Sequence, residues 1–136
     1  MPLLVREESS GQLRSLLARD YAMFVWWGSE IECISALARR QREGRLAAQG
    51  MTVAFAGIRR LAQVWHEIDP TDALREVAVR FVRVHPLHFA DALQLAAAFM
   101  AAEQRPSSLA VVTLDERLAI AARKEGFAIV DLAAAD

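Results

Sequence analysis

The chain predicts an α/β domain built on a short parallel sheet flanked by helices, and three observations carry that reading. Short apolar runs that suit buried strands alternate with longer segments of helical periodicity. One helical segment, Phe89–Ala102 (FADALQLAAAFMAA), is apolar nearly all round, the mark of a helix in the middle of a fold. A strand-like run, Ser108–Leu114, passes at once into a helix, Asp115–Glu125, and after Gly126 comes a last strand-like run, Phe127–Leu132. That order suits a parallel crossover.

The elements follow from local signals. Ser9-Ser10-Gly11 is a helix-start signal before Gln12–Arg19, which carries Leu13, Leu16 and Leu17. Tyr21–Trp27, bounded by Asp20 and Gly28, has the length and aromatic content of a buried strand, with Trp26 and Trp27 on opposite faces. Ser29 reads as an N-cap with Glu32 three residues on, a capping-box pattern that opens a helix to Glu43 with the stripe Ile31, Ile34, Leu37 and Ala38. Gly44–Gly50 is a turn. Thr52–Ile68 reads as a helix with Phe55, Ile58, Leu61, Ala62 and Trp65 on one face, and Pro70-Thr71-Asp72 caps a third long helix to Val82. Only three strands emerge, a thin sheet for so much helix, which points to a missing strand.

Composition bounds the function. A chain of 136 residues is a single domain, residues 1–136, and 54% hydrophobic with 24% charged residues is globular composition. The net charge of −1 gives no global basic field, so any contact with nucleic acid needs a local patch or a metal. The single cysteine, Cys33, forms no internal disulfide and fits a reducing compartment as a small core residue. No signal-peptide core opens the chain, and the alanine-rich stretch is interrupted by Asp91 and Gln94 and too short to span a bilayer. These features predict a cytoplasmic protein without a membrane segment.

Three acids stand out. Glu32 follows an apolar strand in the first turn of a helix, Asp91 opens the most apolar helix, and Asp115 stands where a strand passes into a helix. In open α/β sheets the ligand crevice lies outside the carboxyl ends of the strands, where such residues converge. By position alone each acid reads first as a helix cap that favours the helix dipole. Brought together they would repel one another, and oxygen-only donors suit Mg²⁺ or Mn²⁺. No rival nucleophile constellation is present, and His66, His85 and His88 lack metal-ligand spacing to one another. His88 stands three residues before Asp91 as a helix-start residue or a lining of the site. Arg39, Arg40, Arg42 and Arg45 form a charge run that is either solvated or meets phosphates.

The local wording goes further. WWGSEIECISALARRQREG resembles the stretch of VapC-type PIN domains in which an acid precedes a Ser-Ala-Leu-Ala-Arg helix. LHFADALQLAAA resembles their second acidic motif, and VVTLDERLAIAARKEGF the third. The three occur in family order over residues 26–127. The resemblance implies a PIN-like three-layer domain and a metal-dependent endoribonuclease toxin of a type II toxin–antitoxin pair. It implies that Glu32, Asp91 and Asp115 are catalytic ligands of Mg²⁺ or Mn²⁺, with Thr113 supporting them or touching the RNA; His88 and Arg39 are candidates for the same supporting or substrate role by their positions alone. It also implies a VapB-like antitoxin as partner.

One departure from the family pattern has consequences. The family opens with an apolar strand ending in Asp, just before a segment like PLLVREESS, yet that segment here begins at Pro2. The expectation is a misassigned start, with Met1 inside the natural reading frame; a degenerate copy is the alternative. A native N-terminus at Met1, read by mass spectrometry, would sink the first. With a ligand and a strand missing, the chain is expected to bind Mg²⁺ weakly, to cleave RNA poorly and to form a homodimer through its open strand position. The competing class is a non-catalytic PIN-like module that acts through protein partners.

Overall fold

The computed structural model of the chain describes residues 23–113 and 115–130. In order, the elements are β1 (Phe24–Trp26), α1 (Ser29–Arg42), α2 (Ala48–Ala62), β2 (His66–Ile68), α3 (Asp72–Val84) and α4 (Phe89–Ala101). A 3₁₀ turn (Pro106–Ser108), β3 (Ala110–Val111), α5 (Glu116–Lys124) and β4 (Ala128–Ile129) follow. The fold is therefore mixed α/β and mostly helical, with small parallel sheets. The helix expected at Gln12–Arg19, together with Tyr21, Leu114, Asp131 and Leu132 at the ends of the expected strands, lies outside the described residues.

The strands form two parallel pairs. Phe24, Val25 and Trp26 of β1 face His66, Glu67 and Ile68 of β2, while Ala110 and Val111 of β3 face Ala128 and Ile129 of β4. Among the described residues the two pairs form separate two-stranded sheets. Alternation along β1 sends successive side chains to opposite faces. Trp26 and Ile68 pack on a core made by α3, α4 and α5, whereas Met23 and Val25 pack on a second core made by α1 and α2. Helices thus cover both faces of the β1–β2 pair. Leu109, Val111 and Ile129 bring the second pair onto the first of these cores.

The small side chains of α4 let its neighbours come close. Ala92, Leu95, Ala96 and Ala97 are buried, as the apolar run predicts, and α3 packs on this helix through Leu74, Ala78 and Phe81. Thr71 caps α3 by accepting from Leu74 N at 3.1 Å, as expected from its place after Pro70. Gly126, at φ +102°, ends α5 in a conformation few other residues adopt. Among the described residues no helix is long and apolar enough to cross a membrane.

Several expectations are corrected. Gly28 is the N-cap of α1 and Ser29 its first residue; no side chain caps this end. Instead of reaching back to complete a capping box, the Glu32 carboxylate is held by two donors from β1 and α4. The buried row of α1 is Ser29, Cys33 and Leu37, spaced one turn apart, while Ile31 is 65% exposed. The helix has turned its polar-looking 29–33–37 row toward α2, and Ile31 falls on the far side. Similarly, α2 starts at Ala48 and ends at Ala62, where the sequence suggested a helix from Thr52 to Ile68. Val64 N and Trp65 N both bond back to Leu61 O, and His66 N then donates to Met23 O, which starts β2 beside β1. Trp65 is buried, but beyond the helix, and its indole donates to Glu67 Oε2 at 3.2 Å. Among the described residues four strands are present where three were counted.

A buried pair ties α3 to α5. His85, with a side chain only 4% exposed, stands 2.6 Å from Glu125 Oε2, and Arg80 Nη2 is 3.7 Å from Oε1 of the same carboxylate. Glu125→Ala would leave a buried ring nitrogen without its partner. The expected cost is about 1–3 kcal/mol, read as a lower urea midpoint, whereas an unchanged midpoint would show the pair to be energetically idle.

Candidate carboxylate site

The acids sit at helix starts for reasons of local chemistry. Asp115 ends the turn after β3 and caps α5, its Oδ1 accepting from Arg117 N at 2.9 Å and Leu118 N at 3.2 Å. Thr113 steadies that turn, because its hydroxyl oxygen accepts from Asp115 N at 3.0 Å. Both capping bonds fall on Oδ1, so Oδ2 lies outside the cap. Thr113 thus bears on Asp115 through the backbone N–H and not through the carboxylate.

Asp91 lies in the first turn of α4. Burial pushes its carboxyl above the ordinary range, and the Asp115 carboxylate pushes it further. The His88 ring, a backbone hydrogen bond from His88 and the Arg117 guanidinium draw it partly back. Asp115, 24 positions further along the chain, is thus near enough for its charge to act on Asp91. His88 is the exposed N-cap residue of α4 but makes no side-chain cap, so its ring acts on Asp91 through charge.

Glu32 is placed differently. Oε1 accepts from the Trp26 indole N–H at 2.5 Å and Oε2 from the Gln94 amide at 2.8 Å. Gln94 lies one turn along α4 from Asp91, and residues at that spacing share a helix face. Glu32 is therefore brought to the side of α4 that carries Asp91. Arg39 is not: it is exposed in the last turn of α1, seven residues and about 10 Å along the axis from Glu32.

The donor chemistry of this set suits a hard divalent cation, since it is oxygen throughout. Its number falls short: among the described residues no three His, Cys, Asp or Glu stand together closely enough to hold a metal ion. Cys33 offers no alternative chemistry. It is buried, and burial pushes its thiol up to about 11, with Glu32 and Glu30 adding to the rise.

Sequence reasoning passed over Trp26 and Gln94 as site residues. Gln94 carries a visible signal, an amide in an otherwise apolar helix one turn after Asp91. Trp26 carries none, since its indole reads as core. Comparison with family models, curated proteins and solved structures found no match for the chain.

Proposed function

We propose that this chain is a PIN-like domain of the VapC kind, in which Asp91 and Asp115, with Glu32 as a third acid that does not stand in one group with them here, bind Mg²⁺ or Mn²⁺ weakly for hydrolysis of RNA phosphodiesters. The observation that carries this reading is the effect of the Asp115 charge on Asp91, which a cation between them would relieve. Helices on both faces of the β1–β2 pair fit a three-layer architecture. When bound, the ion lowers the pKa of a water and neutralises phosphate charge. The chain's own part is to present carboxylates at the starts of α1, α4 and α5, with Thr113 holding the turn before Asp115. A VapB-like antitoxin, an RNA substrate and a homodimer belong to the same proposal.

The test combines Mn²⁺ calorimetry with cleavage of a mixed-sequence RNA. Weak, EDTA-reversible binding and slow cleavage are expected for the chain. Absence of both would transfer the reading to a non-catalytic module that acts through a protein partner. That reading has its own support in the structure, because Glu32 already has a hydrogen-bond donor on each oxygen.

A further inference from the structure

Charge is unevenly spread over the two helical layers. Residues 29–62, which span α1 and α2, hold six arginines and three glutamates, a net charge of +3. The whole chain carries −1, so the remainder carries −4. The layer on one face of the β1–β2 pair is therefore basic in an otherwise acidic chain.

The three acids of this layer are all engaged. Glu32 turns to Trp26 and Gln94, Glu30 pairs with Arg59 at 3.4 Å, and Glu43 pairs with Arg45 at 3.2 Å. Arg39 and Arg42 are exposed, and among the described residues neither has an acidic partner. Three positions apart, they share one face of the last turn of α1. The helix dipole also favours cations there, but its effect ends with the last turn. Arg45 lies beyond that turn. Gly44, at φ +75°, bends the chain so that Arg45 N bonds back to Arg40 O at 2.9 Å, which keeps a further guanidinium beside the helix end. Its pair with Glu43 is exposed on both sides and weak enough in water to yield to a phosphate.

The residue types choose the partner. Residues 39–45, Arg-Arg-Gln-Arg-Glu-Gly-Arg, contain no apolar side chain. A protein interface needs a largely apolar centre, whereas contacts to a nucleic-acid backbone are polar and strongly positive. Every cation in the patch is arginine, whose planar guanidinium meets phosphate oxygens in pairs. Where α1 begins, Trp27 is 51% exposed, a surface on which a base of a single strand can stack.

We infer that the carboxyl-terminal end of α1 is a phosphate-binding surface for single-stranded RNA, with Arg39, Arg42 and Arg45 as its contacts. The inference rests on the RNA part of the reading above and on no metal ion. These arginines hold the backbone of the strand and take no part in its chemistry.

The probe is a labelled, mixed-sequence single-stranded RNA in EDTA, with binding to the full chain read by fluorescence anisotropy from about 50 to about 200 mM salt. Three neutralised phosphates give a slope of log affinity against log salt of about −2. Arg39→Gln combined with Arg42→Gln should bring that slope to about −0.7 and lower the affinity at the lowest salt about tenfold, with unchanged circular dichroism. Arg75→Gln combined with Arg83→Gln removes the same charge from exposed positions of α3 and should leave binding close to that of the wild type. Equal losses in the two double variants would overturn the inference, since diffuse charge would then be the cause. A wild-type chain that binds no RNA would overturn it as well. Displacement of the RNA by poly-glutamate at equal charge would also do so and assign the face to an acidic protein. RNA binding lost with Arg39 and Arg42, in a chain that neither binds Mn²⁺ nor cleaves RNA, would keep this surface and remove the metal reading.

Discussion

Asp91→Asn should abolish divalent-metal binding and any metal-dependent RNA cleavage, yet leave the metal-free protein slightly more stable at pH 7. The carboxyl of Asp91 is raised by burial and by Asp115. Its ionised form is therefore less favourable in the folded chain than in the unfolded one. A group raised in this way contributes stability that is fully present below its unfolded pKa and is lost as pH rises through the folded value. The neutral amide removes that loss. The gain is about a few tenths of a kcal/mol, because the group is partly exposed and solvent screens it.

Metal binding moves the other way. It needs the ionised carboxylate, so wild-type affinity should fall with acidification at a higher pH than an ordinary Asp would dictate. In Asp91→Asn the loss should be at least about 100-fold, since removal of an outer partner alone costs 10–100-fold. Calorimetry and a metal-free thermal melt on the same sample separate the two effects. A variant that loses stability while the wild type binds no metal would make Asp91 a helix cap and nothing more.

Phe81→Ala should be among the most damaging substitutions in the chain. Phe81 is fully buried at the centre of the larger core. Its ring meets Phe99 edge-on at 5.9 Å, and the Arg80 guanidinium lies 4.9 Å from the Phe81 centroid and 5.5 Å from that of Phe99. Truncation removes the apolar burial, the ring pair and the platform for Arg80, whose other contact is the Glu125 carboxylate shared with His85. The expected cost is about 3–5 kcal/mol, against a total stability of about 5–15 kcal/mol for a domain of ordinary stability. Urea unfolding should show a much lower midpoint with little change in slope. A cost below about 1 kcal/mol would mean that α3 and α4 repack around the gap.

Much of the architecture is legible in the chain because it is written in local chemistry. Thr71, Asp115 and Gly126 mark helix ends through bonds and backbone conformations that involve only near neighbours. The apolar circumference of Phe89–Ala101 announces a central helix, since burial on every side is the only environment such a surface suits. The approximate position of each described helix follows from these signals, as does the parallel α/β character.

Other features depend on what the chain meets in space. β2 is invisible to periodicity because no glycine or proline interrupts the pattern after Ala62; the hydrogen bond from His66 N to Met23 O makes it a strand. Ile31 looks like core and is exposed, because the approach of α2 selects the Ser29–Cys33–Leu37 row instead. The pairing of His85 with Glu125 joins residues 40 positions apart and has no local signature. Glu32 shows the division most clearly. Its sequence context offers a capping box, a bond within one helix turn, but the fold brings Trp26 and Gln94 to its two oxygens. The sequence by itself determined which acids stand at the helix starts. Tertiary packing decided which of them feels another's charge and which is held, since charge repulsion and hydrogen bonding act over a few ångströms whatever the separation along the chain.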